Sequence, residues 1–271
     1  MTSTFVAPAK LTLSLRVTGL RADGYHLLES EMVSLDLADT LEFDGDGSGT
    51  GGTTLDVVAE WPDGIDGRRD MAVGPAADNL VARALVATGR SARVRLTKRI
   101  PPGAGLGGGS ADAAAVLRWA GCTELAVAAR LGADVPFCLA GGRAMVSGVG
   151  EVLTPLPFEE RSFVLLLPPF GMDTAAVYRA WDAQAADGRL PGSGPGTNDL
   201  EQAATDVEPR MGVWRAALEE ITGERARLAG SGSTWFVEGT PQSVGMSGRA
   251  WLEIDGRRGA LVATKSSPEV Q

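Results

Sequence analysis

Hydrophobic and polar positions change their period several times along the chain, and each change predicts an element. Residues 4–17 place Phe5, Leu11, Leu13, Leu15 and Val17 in the alternation of a strand, which Pro8 is expected to break. Arg21, Ala22, Asp23, Gly24, Tyr25 and His26 make a turn centred on Asp23 and Gly24, and residues 27–37 return to strand composition. Residues 44–54 are rich in glycine and read as a loop, with another strand over 55–61. An Ala/Leu/Val/Arg segment to Thr88 predicts a helix, capped by Asp78 or Asn79 and ended by Gly89. Residues 92–100 alternate Val94 and Leu96 with Arg93, Arg95 and Thr97, a strand with one packed and one polar face.

A glycine-rich run follows at once: Pro101, Pro102, Gly103, Ala104, Gly105, Leu106, Gly107, Gly108, Gly109 and Ser110. Five of the seven residues 103–109 are glycine, and residues 111–118 have the composition of a helix start. Glycine lets backbone N–H groups turn inward, and a helix N-terminus offers unpaired N–H groups and the positive end of its dipole. The combination is an anion cradle and points to a phosphate-bearing ligand. Downstream, residues 124–131 predict a second short helix and residues 132–137 a turn into further extended structure. Pro155, Pro157 and a charge cluster interrupt the pattern, so domains are expected at residues 1–157 and 158–271. Beyond lie a strand over 162–167, a helix over 174–186, a loop over 188–197 and one or two helices over 198–222. Residues 226–238 and 250–254 read as strands, the former holding a second glycine loop, Gly230, Ser231, Gly232 and Ser233. Residues 266–271 read as a frayed tail.

Composition narrows the function classes. With 271 residues, 44% hydrophobic and 22% charged, the chain can build one large or two modest cores. A net charge of −9 argues against a general binder of nucleic acid or acidic membrane, so a polyanionic small molecule must be met by local basic residues. Cys122 and Cys138 lie far apart and near no histidine cluster, which suggests neither a disulfide framework nor a zinc site and fits a reduced, cytoplasmic setting. No apolar run is long enough to span a bilayer, and a soluble chain is expected.

Gly103, Gly105 and Gly108 satisfy the dinucleotide pattern G-x-G-x-x-G, with Glu124 about 20 residues on where a ribose-binding acid is expected. The context disagrees. A Rossmann turn follows a nearly all-apolar buried strand, whereas this one carries Arg93, Arg95, Lys98 and Arg99, and Pro101-Pro102 imposes an extended approach. The P-loop pattern also overlays residues 103–110, but Gly109 stands where its lysine belongs. A flexible connector is the plain alternative, although a linker is rarely followed so promptly by a helix.

The run from Pro101 to Ala111 resembles the phosphate loop of the GHMP kinases, the superfamily of galactokinase, homoserine kinase and mevalonate kinase. Ala7, Pro8, Ala9, Lys10 and Leu11, the turn of residues 21–26, and Gly132, Ala133, Asp134, Val135, Pro136 and Phe137 narrow the resemblance. They match the branch that phosphorylates the 2-hydroxyl of a cytidine-diphosphate-linked sugar alcohol in non-mevalonate isoprenoid synthesis. Agreement continues in order at residues 78–80, 98–101, 148–151, 197–199 and 228–232, so it covers nearly the whole chain.

The resemblance implies an α+β fold, with an N-terminal nucleotide-binding domain and a C-terminal domain of helices packed on an antiparallel sheet. It implies ATP and Mg²⁺, with Pro101 through Ala111 around the phosphates, Ser110 near the metal, and Asn79, Leu80 and Lys98 near the adenine. Lys10 and Asp134 fall at its reaction centre. His26 would read the cytosine edge, Tyr25 and Tyr178 would sandwich the ring, and Thr174 would add a polar contact. Thr12 stands where the family usually has asparagine, and its shorter side chain would weaken a substrate contact. The partner implied is a small molecule, without nucleic acid or membrane, for a monomer or weak homodimer.

Phosphoryl transfer is mostly positioning and charge stabilisation, so a carboxylate to take the acceptor proton and an ammonium beside it suit Asp134 and Lys10. On residue type alone Asp134 reads equally as a turn or cap aspartate, Lys10 as a solvated strand lysine, the lone His26 as structural, and Tyr178 as partly core. Two rival functions stand beside this one: another GHMP small-molecule kinase, of homoserine or mevalonate type, and a catalytically silent nucleotide-binding protein.

Overall fold

The computed structural model describes residues 2–45, 52–65, 79–188 and 196–268. Asp78, most of the two glycine-rich loops expected over 44–54 and 188–197, and the last residues of the tail lie outside them. The chain opens with a long hairpin of β1 (Thr2–Leu20) and β2 (His26–Asp44), closed by the expected turn, in which the Gly24 amide donates to the Arg21 carbonyl at 2.9 Å. Pro8 does not break β1. It sits where the register shifts between Pro8 and Lys10, an irregularity in the ladder that tolerates a missing N–H.

The first sheet adds β3 (Thr54–Ala59), β4 (Arg93–Lys98), β5 (Arg143–Gly148) and β6 (Val152–Pro155) in the order β3-β4-β2-β5-β6, with β1 beside β2. Only β3 and β4 run parallel. Against it pack α1 (Leu80–Ala87), α2 (Gly108–Trp119), α3 (Leu125–Leu131) and α4 (Val135–Ala140) around a shared core with Leu41, Phe43, Val94 and Leu96. Three sequence expectations change here. Residues 135–140 are a helix rather than extended chain, because Pro136 at its first turn fits helical φ and lacks an N–H that would be orphaned anyway. Helix α2 begins at Gly108, not Ala111, so the last glycines of the run are its first turn. On β4 the period-2 alternation puts Lys98 on the packed face with Val94 and Leu96, not with Arg93 and Arg95.

The second sheet is antiparallel throughout: β7 (Ser162–Leu167), β8 (Arg227–Leu228), β9 (Trp235–Glu238), β10 (Trp251–Ile254) and β11 (Arg257–Lys265), in the order β10-β11-β7-β9-β8. Helices α5 (Thr174–Ala186), α6 (Glu201–Val207) and α7 (Arg210–Thr222) contribute to its core. Strand β11 was not anticipated, although Asp255 and Gly256, both at positive φ, are the Asp-Gly signal of a tight hairpin. Nor is the tail frayed at its start: the Ser266 amide donates to the Arg161 carbonyl and that of Ser267 to the Ser34 carbonyl, each at 2.8 Å.

The two sheets share one buried cluster. Ala9, Leu11 and Leu13 of β1 pack with Phe163, Leu165 and Leu167 of β7, and Ala104 and Leu106 of the glycine run join them. Residues 7–13 of β1 are therefore covered on both sides, which explains why their alternation is blurred. Among the described residues no helix is long and apolar enough to cross a membrane.

Candidate active site

A cleft of about 470 Å³ opens over this shared core, lined by β1, the glycine run, the starts of α2, α4 and α5, and the second glycine loop. The run itself alternates between anchor and cradle. Ala104 and Leu106 are buried, while the carbonyls of Gly103, Ala104 and Leu106 accept from surrounding backbone: Met172 N and Ser233 N on Gly103, Thr234 N on Ala104, and Lys10 N on Leu106, all at 2.9–3.1 Å. With these carbonyls engaged by the protein, Gly107 takes a left-handed φ of 68° and starts α2. The first helical bond from outside that turn runs from Ala111 N to Gly107 O, so the amides of residues 108–110 are the orphan donors of a helix N-terminus. Residues 101–110 line the cleft; Ala111 does not, being fully packed in the core.

Lys10 comes to this loop from β1. A Cβ on Gly107 would fall 2.7 Å from Lys10 Cγ, and one on Gly230 would fall 3.2 Å from Lys10 Nζ, so the ammonium lies between two glycine loops. Thus the lysine missing at Gly109 has a counterpart in space, not in sequence. Lys10 is 4% exposed; its Nζ donates to Thr12 Oγ1 at 3.0 Å and pairs with Asp134 Oδ2 at 3.3 Å. Thr12 therefore serves first as an anchor for Lys10. Asp134 occupies the N-cap position of α4, yet its side chain makes no capping bond, and the carboxylate is turned to Lys10 and the cleft instead. Asn198 holds the second glycine loop, donating from Nδ2 to the carbonyls of Gly230 (2.7 Å) and Leu228 (3.0 Å). Ser231 Oγ lies 2.8 Å from Thr174 Oγ1, which ties that loop to α5.

The part of the cleft near Asn79, Leu80 and Lys98 contains a charge cluster that motif reading did not reveal. Asn79 and Leu80 line the cleft, with Asn79 Oδ1 capping α1 through Val81 N at 2.9 Å. Lys98 lines the cleft with two of its three ammonium donors engaged: Nζ donates to Asp39 Oδ2 and, at 2.7 Å, to Asp112 Oδ2, and all three side chains are buried. The signal was one acid among alanines, since Asp112 sits between Ala111 and Ala113 on a helix whose neighbouring positions are all core, where a charge must be paired. Burial alone would lower the Lys98 ammonium, but Asp112 and Asp39 outweigh it and hold its pKa above the ordinary value. Burial, with the Asp39 charge adding to it and Lys98 opposing it, pushes the Asp112 carboxyl up to about 7.

This shift carries a stability signature. The folded chain holds the Asp112 proton more tightly than the unfolded one. The extra stability is full below the unfolded value of about 3.9 and is lost as pH rises towards 7. Asp112→Asn is expected to flatten the pH dependence of unfolding free energy between about pH 4 and 7, as read by urea titrations across that range. A difference between the two proteins that does not change with pH would contradict it.

Tyr178 of α5 also lines the cleft, and burial together with the Asp134 charge raises its phenol pKa. His26 stacks on it with ring centroids 4.6 Å apart, stands edge-on to Trp181, and engages Asp182 Oδ1 through Nε2 at 2.7 Å. Tyr25 is not brought to the cleft: it is 60% exposed, with the Arg21 guanidinium 5.3 Å from its ring centre. One face of Tyr178 is thus taken by His26, and the two tyrosines are not assembled as a sandwich.

Comparison with known proteins shows the family of the chain. The family model for the GHMP kinases N terminal domain matches residues 73–142, which include the glycine run and Asp134. The 4-diphosphocytidyl-2-C-methyl-D-erythritol kinase of Paracoccus denitrificans is 41% identical over 247 residues, covering 85% of this chain and 84% of its own. That of Pelotomaculum thermopropionicum is 40% identical, covering 87% and 88%. A crystal structure of 4-(cytidine 5'-diphospho)-2C-methyl-D-erythritol kinase superposes with a TM-score of 0.69 at 32% identity, over 98% of this chain and 100% of that one. A chain with this identity over most of its length, this fold and these motifs in order belongs to the 4-diphosphocytidyl-2-C-methyl-D-erythritol kinase family of GHMP kinases.

Proposed function

We propose that the chain transfers the γ-phosphoryl group of ATP to the 2-hydroxyl of 4-diphosphocytidyl-2-C-methyl-D-erythritol. The observation that carries the reading is the Lys10–Asp134 pair at 3.3 Å, with Lys10 packed on Gly107 of the glycine run, in a cleft that Thr174 and Tyr178 also line. In this reading Asp134 accepts the proton of the attacking hydroxyl, the new O–P bond forms as the bond to ADP breaks, and Lys10 offsets the charge on the transferring group. The glycine run and the N-terminus of α2 receive the polyphosphate, and Asn79 and Leu80 border the adenine.

Among the described residues no group of three or more His, Cys, Asp or Glu is placed to hold a metal ion. The Ser110 hydroxyl in the cleft wall would be the protein oxygen for a Mg²⁺ ion bound with the nucleotide. Bound there, the ion would neutralise phosphate charge. The cytosine is received against Tyr178 and His26, with Thr174 as a polar neighbour; Tyr25 would join them only by moving from its exposed turn. A cytoplasmic monomer or weak homodimer completes the reading.

The direct test follows ADP formation with ATP, Mg²⁺ and the cytidine-diphosphate substrate. Turnover with homoserine or mevalonate, and none with that substrate, would overturn the assignment. Tyr178→Ala is expected to raise the KM of the cytidine-diphosphate substrate on the order of 10- to 100-fold, the worth of one stacked base, while the KM of ATP stays put. Equal rises in both KM values would show that Tyr178 only supports the fold.

A further inference from the structure

Asp39, Lys98 and Asp112 come from three elements, and what they join is the glycine run. Asp39 on β2 is fully buried, and its Oδ1 accepts the backbone amides of Arg99 (2.5 Å) and Ile100 (2.9 Å), the residues directly before Pro101. Its Oδ2 receives Lys98 Nζ, which also reaches Asp112 Oδ2 on α2, the helix directly after the run. Residues 101–107 are thus slung between two points held by one ammonium. The fit beneath them is close: a Cβ on Gly108 would fall 2.9 Å from Ile100 Cγ2 and 3.1 Å from Lys98 Nζ.

The arrangement is more than a fold-stabilising ion pair requires. One pair would satisfy Lys98; a second buried carboxylate is hard to accommodate, and Asp112 Oδ1 has no hydrogen-bond partner. That unsatisfied group forms part of the cleft wall, as does Lys98. Each end of the run is held by a carboxylate, and Lys98 donates to both.

We propose that Lys98, Asp39 and Asp112 are a positioning unit for the nucleotide: Lys98, by bridging the two carboxylates, sets the distance between the ends of the glycine run and so its fit to polyphosphate. The proposal rests on the reading of this cleft as the ATP site. Lys98 then acts through the loop it spans, not by contacting the base with its ammonium.

The test compares Asp112→Ala with Asp112→Asn in the full chain, measuring KM for ATP, KM for the cytidine-diphosphate substrate, kcat and the thermal midpoint. Asp112→Ala cuts the bridge and is expected to raise KM for ATP on the order of 10- to 100-fold, the effect of a loop displaced by about 1 Å, with the other KM unchanged. Asp112→Asn keeps an oxygen for Lys98 and recovers most of the loss. A wild-type KM for ATP in Asp112→Ala overturns the proposal. So does a parallel rise of both KM values that tracks the thermal midpoint and is not rescued by asparagine, which is the result of a purely structural role. Should Asp112→Ala fail to fold, Asp112→Ser, too short to reach Lys98, takes its place. Calorimetric titration with ATP reads the same contrast even if the wild type shows no turnover, so failure of the kinase reading is told apart from failure of this one.

Discussion

Asp134→Asn is expected to lower kcat by at least about 100-fold, the lower end of what a positioned general base contributes, while ATP binds as before. The substitution keeps the size of the side chain and removes its ability to take a proton. Three features of the site make the effect large. The carboxylate has no capping duty on α4, so losing its charge does not unravel the helix. It faces Lys10 at 3.3 Å, and among the described residues the ammonium is otherwise held by Thr12. It also acts electrostatically on Tyr178, which lines the same cleft. Steady-state kcat together with calorimetric titration of ATP checks the expectation. A variant with wild-type kcat would show that Asp134 is not the base, and one that loses ATP binding would show that it belongs to the nucleotide side.

Gly105→Ala is the second large effect, and it concerns how the two glycine loops meet. A Cβ at position 105 falls 2.1 Å from the Ala229 carbonyl oxygen and 2.8 Å from that of Gly232, and φ there is +77°. Neither obstacle can swing aside, because both are backbone atoms of a loop held by Asn198. Left-handed φ alone costs an alanine about 1–2 kcal/mol, and moving a packed backbone adds to it. A loss of at least about 2 kcal/mol in unfolding free energy is expected, with ATP turnover falling as the two loops separate around Lys10. Gly109→Ala is the matched control for stability. Its nearest neighbour would be Leu80 Cδ1 at an ordinary 3.6 Å, within α2. Equal melting behaviour for the two variants would mean that the loops do not bear on each other.

How much of this was legible beforehand differs by residue. The glycine run could be recognised as a phosphate cradle because its properties are local: positive φ and a helix start are written in consecutive residues. The Rossmann reading failed for the right reason only in part, since Arg93 and Arg95 do face out but Lys98 faces in. Residue type placed Lys98 with the other cations, and strand alternation, which flips a side chain with every step, placed it with Leu96. Pro8 was misjudged because whether a proline interrupts a strand depends on where the register of the ladder shifts. Helix α4 was misread because six residues are too few to show a period.

The sequence by itself determined the family, the kind of ligand and most of the elements, through motifs that are contiguous and ordered along the chain. What the tertiary structure alone decided are the meetings between segments: Lys10 between two glycine loops, Asp134 turned from its helix to that lysine, Asp39 and Asp112 joined through Lys98, and His26 laid on Tyr178 while Tyr25 stays outside. Backbone conformation and helix starts are set by neighbours in the chain. Which side chain meets which across 59 or 156 residues depends on strand register, helix facing and the packing of two sheets on one core, and these exist only once the whole chain has folded.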